Sequence, residues 1–172
     1  MENIYLEKTV VHTKSVLVKV KDKLMELYQQ EWREQVNTMP KLRTYKLIKE
    51  QYGAETYLCN HYDRGVISVM SRFRCGTFPL KIETGRWRGL QVHERVCIQC
   101  ETGAVESELH FLIICPRYNI NRISLYGEYK IRYNNDINLL SYDEQFQALL
   151  MNQEFYKSLS SFIRDCFNIR NK

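Results

Sequence analysis

Apolar residues return every three or four positions through much of this chain, and that period predicts amphipathic α-helices. The first helix is predicted over residues 15–36, and Met39-Pro40 ends it because a residue before proline disfavours helical geometry. Apolar groups recur at three- and four-residue steps at Leu17, Val20, Leu24, Leu27 and Trp32, with Glu31 as the exception. Residues 1–13 alternate apolar and polar groups only weakly, which predicts a frayed tail or a segment cut from a longer protein.

Two further helices are predicted before residue 77. One covers residues 41–52 and stops at Gly53. The other begins at Asp63, a residue type that caps helix N-termini, and stops at Gly76. Its inward face is predicted to hold Val66, Met70 and Phe73. Proline and glycine then punctuate residues 77–90, which are expected to form a loop or a short strand.

Three helices are predicted after residue 116. The first covers residues 117–133, with an apolar face of Ile120, Ile123, Leu125 or Tyr126, and Tyr129. Ser141 and Glu144 form a capping box that opens a short second helix. The third covers residues 153–169 and is predicted to turn inward Phe155, Leu159, Phe162, Ile163 and Cys166.

Composition adds a mild positive charge to this helical picture. The 172 residues are 44% hydrophobic and 26% charged, as in a soluble globular protein with a proper core. No apolar run approaches the length that crosses a bilayer. The net charge of +5 permits a polyanionic partner without requiring one. Six cysteines without a secretory signal predict an intracellular protein of the nucleus or cytoplasm.

Four residues carry the clearest chemical signal. Cys97, Cys100, His110 and Cys115 follow the pattern C-x2-C-x9-H-x4-C, and three thiolates with one imidazole suit a tetrahedral Zn²⁺ ion. Since protein atoms fill all four positions, such an ion would be a folding staple without catalytic chemistry. Two alternatives are a Cys97–Cys100 disulfide and a set of ordinary core thiols with a core histidine. Core positions are also expected for Cys59, Cys75 and Cys166.

The expected fold is therefore mostly α: a helical domain with a central CCHC segment that resembles a zinc finger or knuckle. We expect three parts that form one compact unit. They are an N-terminal helical part (1–76), an irregular basic segment with the zinc site (77–118) and the C-terminal helices (119–172).

No catalytic constellation is evident, so the chain is not expected to be an enzyme. His12, His61 and His93 stand apart from any nucleophile and orienting acid, and no glycine-rich phosphate loop occurs. Cys59 and His61 could begin a second metal site, but no partner pair accompanies them.

A basic window precedes the cysteine pair and is the candidate nucleic-acid contact. It comprises Arg72, Arg74, Lys81, Arg86, Trp87, Arg88 and Arg95. Arginine contacts phosphate and stacks on bases, and an indole can support a stacked base. The structural alternative is that Trp87 is a core residue and that Arg86 pairs with Glu83 or Glu94 to brace the loop. Acidic residues Glu101, Glu106 and Glu108 inside the zinc loop argue against phosphate on that face.

Residues 72–76, 79–86, 94–100 and 105–118 together carry a family resemblance. In this order they resemble the zinc-binding region downstream of the reverse transcriptase in non-LTR (LINE-type) retroelements. They are most similar to the stand-alone or degenerate copies abundant in aquatic animal genomes. The resemblance implies zinc on the four ligands and a part in holding RNA or DNA beside a polymerase. Two features depart from it: the gap between Cys100 and His110 is longer than in the retroviral knuckle, and no polymerase or endonuclease signature is present.

The function expected from the sequence is non-catalytic, zinc-dependent binding of RNA or DNA by a module derived from a retroelement protein. A reverse transcriptase is a candidate partner, and a membrane is not. The alternative is a structural or protein-interaction domain in which zinc is only a staple. Salt dependence separates the two, since phosphate contacts make affinity fall steeply as salt rises.

Overall fold

Eight α-helices and several single helical turns form the described part of the chain. The computed structural model describes residues 2–59 and 62–171, with side chains from residue 15 onward. The α-helices are α1 (Glu2–Thr38), α2 (Tyr45–Ile48), α3 (Thr56–Cys59), α4 (Arg64–Arg74), α5 (Lys81–Trp87), α6 (Asn119–Tyr133), α7 (Tyr142–Met151) and α8 (Tyr156–Arg170). A π-helical turn spans His110–Ile114, and 3₁₀ turns lie at Pro40–Leu42, Val92–Glu94, Pro116–Tyr118, Ile137–Leu139 and Gln153–Phe155.

This architecture confirms the predicted mostly α fold. The only β pairing among the described residues is one antiparallel bridge between Val96 and Val105. None of the described helices combines the length and apolar character that crossing a membrane requires. The chain divides into two compact units, Met1–Met39 and Pro40–Lys172. The division into parts 1–76, 77–118 and 119–172 stays a prediction.

The first unit is the single helix α1, which is longer than its sequence pattern predicted. Helical backbone begins at Glu2, although residues 1–13 alternate apolar and polar groups only weakly. Pairs spaced three or four residues apart stabilise its surface, as between Lys23 and Glu26 and between Gln30 and Glu34. Its apolar stripe is exposed: Leu17, Val20, Leu24 and Leu27 show between 49% and 62% of their surface.

The core of the second unit lies mainly between α4, α7, α8 and the turn that carries His110. The predicted inward residues of α4 and α8 are confirmed as buried, with Met70, Phe73, Leu159 and Ile163 fully enclosed. Burial of such side chains is worth roughly 1.5–3 kcal/mol each and dominates the stabilisation of the unit. The aromatic rings of Phe73, Phe78 and Phe111 meet in tilted and edge-on contacts within this core.

Helix boundaries follow the capping residues that the sequence showed. The Asp63 side chain accepts a hydrogen bond from the Val66 amide at the start of α4. Ser141 and Glu144 form the predicted reciprocal capping box at the start of α7. Asn134 takes a left-handed backbone conformation and ends α6. Local signals therefore placed the starts of α4 and α7 correctly.

The predicted inward face of α6 is partly wrong. Ile120 and Ile123 are 85% and 73% exposed, whereas Tyr126 and Tyr129 are buried as expected. The helix is rotated because the buried Arg122 side chain donates hydrogen bonds to the carbonyls of Leu112 and Cys115. Those carbonyls end the preceding turn, and satisfying them fixes which side of α6 faces inward.

Two other local expectations are also corrected. The predicted helix over residues 41–52 shrinks to α2, because the Lys49 backbone turns extended and its ammonium binds the Gly53 carbonyl and the Glu55 carboxylate. Residues 81–87, expected as loop or strand, form α5. Its first amide, on Lys81, donates to the buried Glu106 carboxylate at 2.7 Å, which replaces an N-cap from within the segment.

Gly76 makes a turn that no other residue type could make without strain. Its φ is +64°, and a Cβ there would strike the Lys41 carbonyl oxygen. Gly76→Ala is therefore expected to lower the free energy of unfolding by at least about 1–3 kcal/mol. Urea unfolding measures this, and Gly89→Ala is the control, because Gly89 has φ +72° with open space around it. Equal losses in the two variants would show that the contact with Lys41 contributes nothing.

Candidate metal centre and basic flank

The first two candidate ligands, Cys97 and Cys100, lie in a hairpin-like loop. The Cys97 amide donates to the Ala104 carbonyl at 2.8 Å, and the Glu106 amide donates to the Arg95 carbonyl at 2.9 Å. These bonds flank the Val96–Val105 bridge, while Gly103, at φ +66°, completes the turn. The Gln99 amide points at the Cys97 sulfur from 3.4 Å, so the loop presents both thiols from one side and places a donor against one of them.

The other two ligands flank a π-helical turn. The Cys115 amide donates to the His110 carbonyl at 2.7 Å, an i→i+5 bond instead of the α-helical i→i+4 bond. In an α-helix, residues five apart point in directions that differ by about 140°. The wider turn reduces this mismatch, and the ligand-type atoms of His110 and Cys115 lie within 4.8 Å of each other. Sequence spacing predicted a short helix here but gave no sign of its type.

The four side chains converge to the dimensions of a tetrahedral metal site. One ligand atom from each of Cys97, Cys100, His110 and Cys115 lies within 4.8 Å of the other three. The Cys97 and Cys115 sulfurs are 4.0 Å apart, and the Cys100 sulfur is 3.4 Å from His110 Nε2. Tetrahedral bonds of about 2.3 Å to sulfur and 2.0 Å to nitrogen require separations of roughly 3.8 Å and 3.5 Å. The cluster therefore fits a metal ion of this coordination.

Disulfide formation is absent from the cluster. All six cysteines are free, which removes the Cys97–Cys100 disulfide alternative for this structure. The close contact between Cys97 and Cys115 makes their thiols unequal. A hydrogen bond from Cys115 lowers the pKa of the Cys97 thiol, and the neighbouring Cys97 raises the pKa of the Cys115 thiol. One thiolate is thus stabilised beside a second sulfur that a bound cation would also deprotonate.

His110 is oriented as a ligand. Its ring is buried, and Nε2 faces the Cys100 sulfur. Its Nδ1 atom is buried without a hydrogen-bond partner among the described residues. A metal on Nε2 places the ring proton on Nδ1. The donor set of three sulfurs and one imidazole nitrogen is the one that structural zinc sites use.

Two buried carboxylates tie the metal loop to distant parts of the second unit. Glu106 accepts hydrogen bonds from Arg170 at the end of α8, at 2.7 Å and 3.0 Å. Glu108 is paired with Arg43 through two hydrogen bonds. In addition, the Gln99 side chain donates to the Arg170 carbonyl at 3.2 Å. Glu106 and Glu108, the buried acidic residues of the loop, are thus each paired with an arginine and link the loop to other elements of the second unit.

The basic flank does not behave as one surface. Arg72, Arg86, Trp87 and Arg88 are exposed, Lys81 and Arg95 are half-buried, and Arg74 is buried. Arg95 donates to the carbonyls of Ile82 and Leu90 and so braces α5 against the metal loop. Position 85 in α5 favours glycine, because a Cβ there would come within 2.6 Å of the Arg95 side chain. Gly85 was expected to interrupt regular structure, but α5 continues through it, and the residue leaves space for the Arg95 side chain.

Arg74 is removed from the candidate nucleic-acid contacts. It is 1% exposed and forms an ion pair with Glu55 at 2.9 Å. Its guanidinium also donates to the Leu150 carbonyl at 3.0 Å and to the Tyr156 hydroxyl. The rings of Tyr57 and Tyr156 lie within cation–π distance. A side chain enclosed in this way cannot reach a phosphate, and no pattern in the sequence indicated its burial.

Trp87 combines exposure with a fixed orientation. The residue is 64% exposed, and its Nε1 donates to the buried Glu83 carboxylate at 3.1 Å. Arg86 holds the same carboxylate through two hydrogen bonds, which keep the pKa of Glu83 below its ordinary value. The predicted Arg86–Glu83 pair is therefore present. Trp87 as a core residue is wrong, since its ring faces solvent.

The remaining thiols lie apart from the cluster. Cys166 is buried, as expected, and burial raises its pKa to about 12. Cys75 is half-buried, whereas Cys59 is exposed, so its predicted core position is wrong. His61, the suggested partner of Cys59, lies outside the described residues.

A comparison of the chain with protein-family models, curated proteins and solved structures finds no match.

Proposed function

We propose that the Cys/His cluster binds one Zn²⁺ ion. Support comes from the donor set and from the closeness of the four ligand atoms, within 4.8 Å of one another. Soft thiolates disfavour magnesium and calcium, and tetrahedral S₃N geometry favours zinc over metals that prefer planar or octahedral sites. The protein supplies every ligand, so the ion has no open position for a substrate. The proposed role is therefore structural and non-catalytic.

As a staple, the ion would join the two segments that supply its ligands. The hairpin-like loop contributes Cys97 and Cys100, and the π-helical turn contributes His110 and Cys115. The loop is in turn attached to α8 through the Glu106–Arg170 pair. Metal binding would thus order the irregular centre of the second unit and the helix that packs beside it.

The second part of the proposal is that this module binds RNA or DNA through its basic flank. One observation carries it: the Trp87 indole is held exposed by a buried carboxylate, next to the exposed Arg88. A pre-oriented aromatic face beside an arginine suits a stacked base with a neighbouring phosphate. Origin from a retroelement protein, and a reverse transcriptase as partner, rest on the order of the motifs in residues 72–118.

Fluorescence anisotropy with labelled single-stranded RNA and DNA tests this function. Trp87→Ala is expected to weaken binding by about 1–3 kcal/mol, the range found for base–aromatic stacking. Trp87→Phe should retain most of the affinity, because it keeps an aromatic ring. Arg88→Ala should lower the slope of log affinity against log salt by about one unit.

Lys157→Ala is the matched control, since Lys157 is an exposed cation on α8 and outside the flank. If the wild-type protein does not bind either nucleic acid at low salt, the nucleic-acid proposal fails. Equal losses in Lys157→Ala and Arg88→Ala would indicate nonspecific charge attraction and would also count against it.

The alternative, a protein-interaction module, is favoured by a different observation. Val92 and Ile98 are exposed apolar residues, on the turn before the metal loop and in that loop. Apolar side chains of this kind serve a protein partner better than a phosphate backbone. This alternative gains weight if binding to nucleic acid is absent while the protein retains its metal.

A further inference from the structure

One buried carboxylate oxygen collects side chains from two separate segments of the second unit. Glu83 Oε1 lies 2.7 Å from Arg86 Nη2 and 3.1 Å from Trp87 Nε1, both on α5. Lys41, from the turn before α2, places its Nζ 3.9 Å from the same oxygen. The Glu83 side chain is 1% exposed, whereas those of Lys41 and Arg86 are 45% and 46% exposed. Two exposed cations and an exposed indole therefore meet over one buried negative charge.

The charges at this point do not cancel. Glu83 carries one negative charge, and Lys41 and Arg86 together carry two positive charges. Arg86 holds the carboxylate through two hydrogen bonds, at 3.1 Å and 2.7 Å. Lys41 lies at the long end of the ion-pair range and is open to solvent, where such a pair contributes little. A phosphate could therefore become the partner of Lys41 while Arg86 continues to hold Glu83.

The backbone places Lys41 beside the exposed indole. Lys41 lies in the 3₁₀ turn Pro40–Leu42, and its carbonyl oxygen packs against Gly76, just after α4. Lys41 Nζ and Trp87 Nε1 are 3.9 Å and 3.1 Å from one oxygen, so these two nitrogens lie within about 7 Å of each other. Proteins that bind single-stranded nucleic acids set stacking aromatic rings beside cations that follow the backbone in this way.

We infer that Lys41 completes the proposed nucleic-acid site and that the site takes an unpaired nucleotide. The base would stack on Trp87, and an adjoining phosphate would bind Lys41. The inference rests on the nucleic-acid binding proposed above. Only an unpaired base offers its face to a side chain, because neighbouring base pairs cover both faces in a duplex. The ligand class is therefore a single strand, and a duplex would meet the site through its phosphates alone.

Fluorescence anisotropy of the full chain with a labelled single strand, and with the same strand paired to its complement, tests the ligand class. Trp87→Ala is expected to weaken binding of the single strand about 5- to 150-fold, the range found for stacking of one base on an aromatic ring. The same substitution should leave binding of the duplex unchanged. An equal loss for both forms would overturn the assignment of an unpaired nucleotide.

Salt titration of the same complexes tests Lys41. Lys41→Ala should weaken binding of the single strand several-fold and lower the slope of log affinity against log salt by about 0.7–1. Lys41→Arg should keep the wild-type slope, because it keeps the charge. Lys46→Ala is the matched control, since Lys46 is an exposed cation on α2 that is not paired with Glu83 among the described residues. Circular dichroism should report unchanged folding in these variants, because both lysines are exposed.

Two results separate the role of Lys41 from the proposed function as a whole. A wild-type chain that binds neither form at low salt would overturn both. Binding that Trp87→Ala weakens but that keeps its wild-type slope in Lys41→Ala would overturn the role of Lys41 and leave the proposed function standing. Equal changes of slope in Lys41→Ala and Lys46→Ala would indicate nonspecific attraction to a charged surface and would also overturn that role.

Discussion

Cys97→Ser is expected to lose the bound metal and to destabilise the second unit by more than about 4 kcal/mol, a loss reached by few single substitutions. Cys97 is a buried ligand whose sulfur lies 4.0 Å from that of Cys115. Apparent binding free energies of structural zinc are about 10–16 kcal/mol, comparable with the whole stability of a domain, about 5–15 kcal/mol. Elemental analysis should find one zinc ion per chain in the wild type and little in the variant. Thermal unfolding followed by circular dichroism measures the loss.

Cys59→Ser is the matched control, because Cys59 is an exposed thiol outside the cluster. It should retain one zinc ion and the wild-type unfolding temperature. Removal of the ion with a strong chelator should reproduce the effect of Cys97→Ser, and added zinc should reverse it. A wild-type protein that is folded without metal would contradict the proposed staple, and a different metal in the site would contradict its identity.

Arg74→Leu should lower the free energy of unfolding by about 1–3 kcal/mol, because the buried Glu55 carboxylate loses one of its two cationic partners and several buried hydrogen bonds are lost with the guanidinium. Glu55 would retain only Lys49 as a cationic partner, and the carbonyl of Leu150 would retain only the Tyr156 hydroxyl as a donor. For a chain of this length the loss corresponds to about 2–12 °C in Tm. Urea unfolding gives the free energy directly.

Arg72→Ala separates stability from binding. Arg72 lies two positions earlier on the same helix, but it is exposed, and its guanidinium lies over the Phe78 ring at 5.8 Å from the ring centre. Its substitution should change stability by no more than about 0.5 kcal/mol. If the basic flank binds nucleic acid, Arg72→Ala should reduce the affinity for nucleic acid. Arg74→Leu, measured under conditions in which the protein remains folded, should leave that affinity unchanged. An Arg74→Leu protein as stable as the wild type would show that the buried pair is dispensable.

The parts that could be predicted from sequence are those governed by local chemistry. Capping by Asp63 and Ser141 depends on the nearest backbone amides, and the inward face of α8 depends on helical period alone. The four residues of the Cys/His cluster could be predicted because cysteine and histidine at such spacing are typical of metal sites.

The parts that were missed depend on long-range partners. Helix α5 needs the Glu106 carboxylate, and the rotation of α6 needs the carbonyls of Leu112 and Cys115. Burial of Arg74 depends on Glu55 and on Tyr156, which is 82 residues away in the chain. A pattern read along the chain cannot show which distant group satisfies a buried charge.

The π-helical turn affects how the sequence spacing between His110 and Cys115 should be interpreted. In this chain the histidine and the last cysteine are five apart and share a face because the turn is wide. In an ordinary α-helical turn, residues four apart share a face. A chain with one residue fewer between the two ligands could therefore present the same pair by tightening its turn. The number of residues between His110 and Cys115 therefore depends on the local helical pitch as well as on the geometry of the proposed metal site. A motif search for related sites should allow this number to vary by one residue.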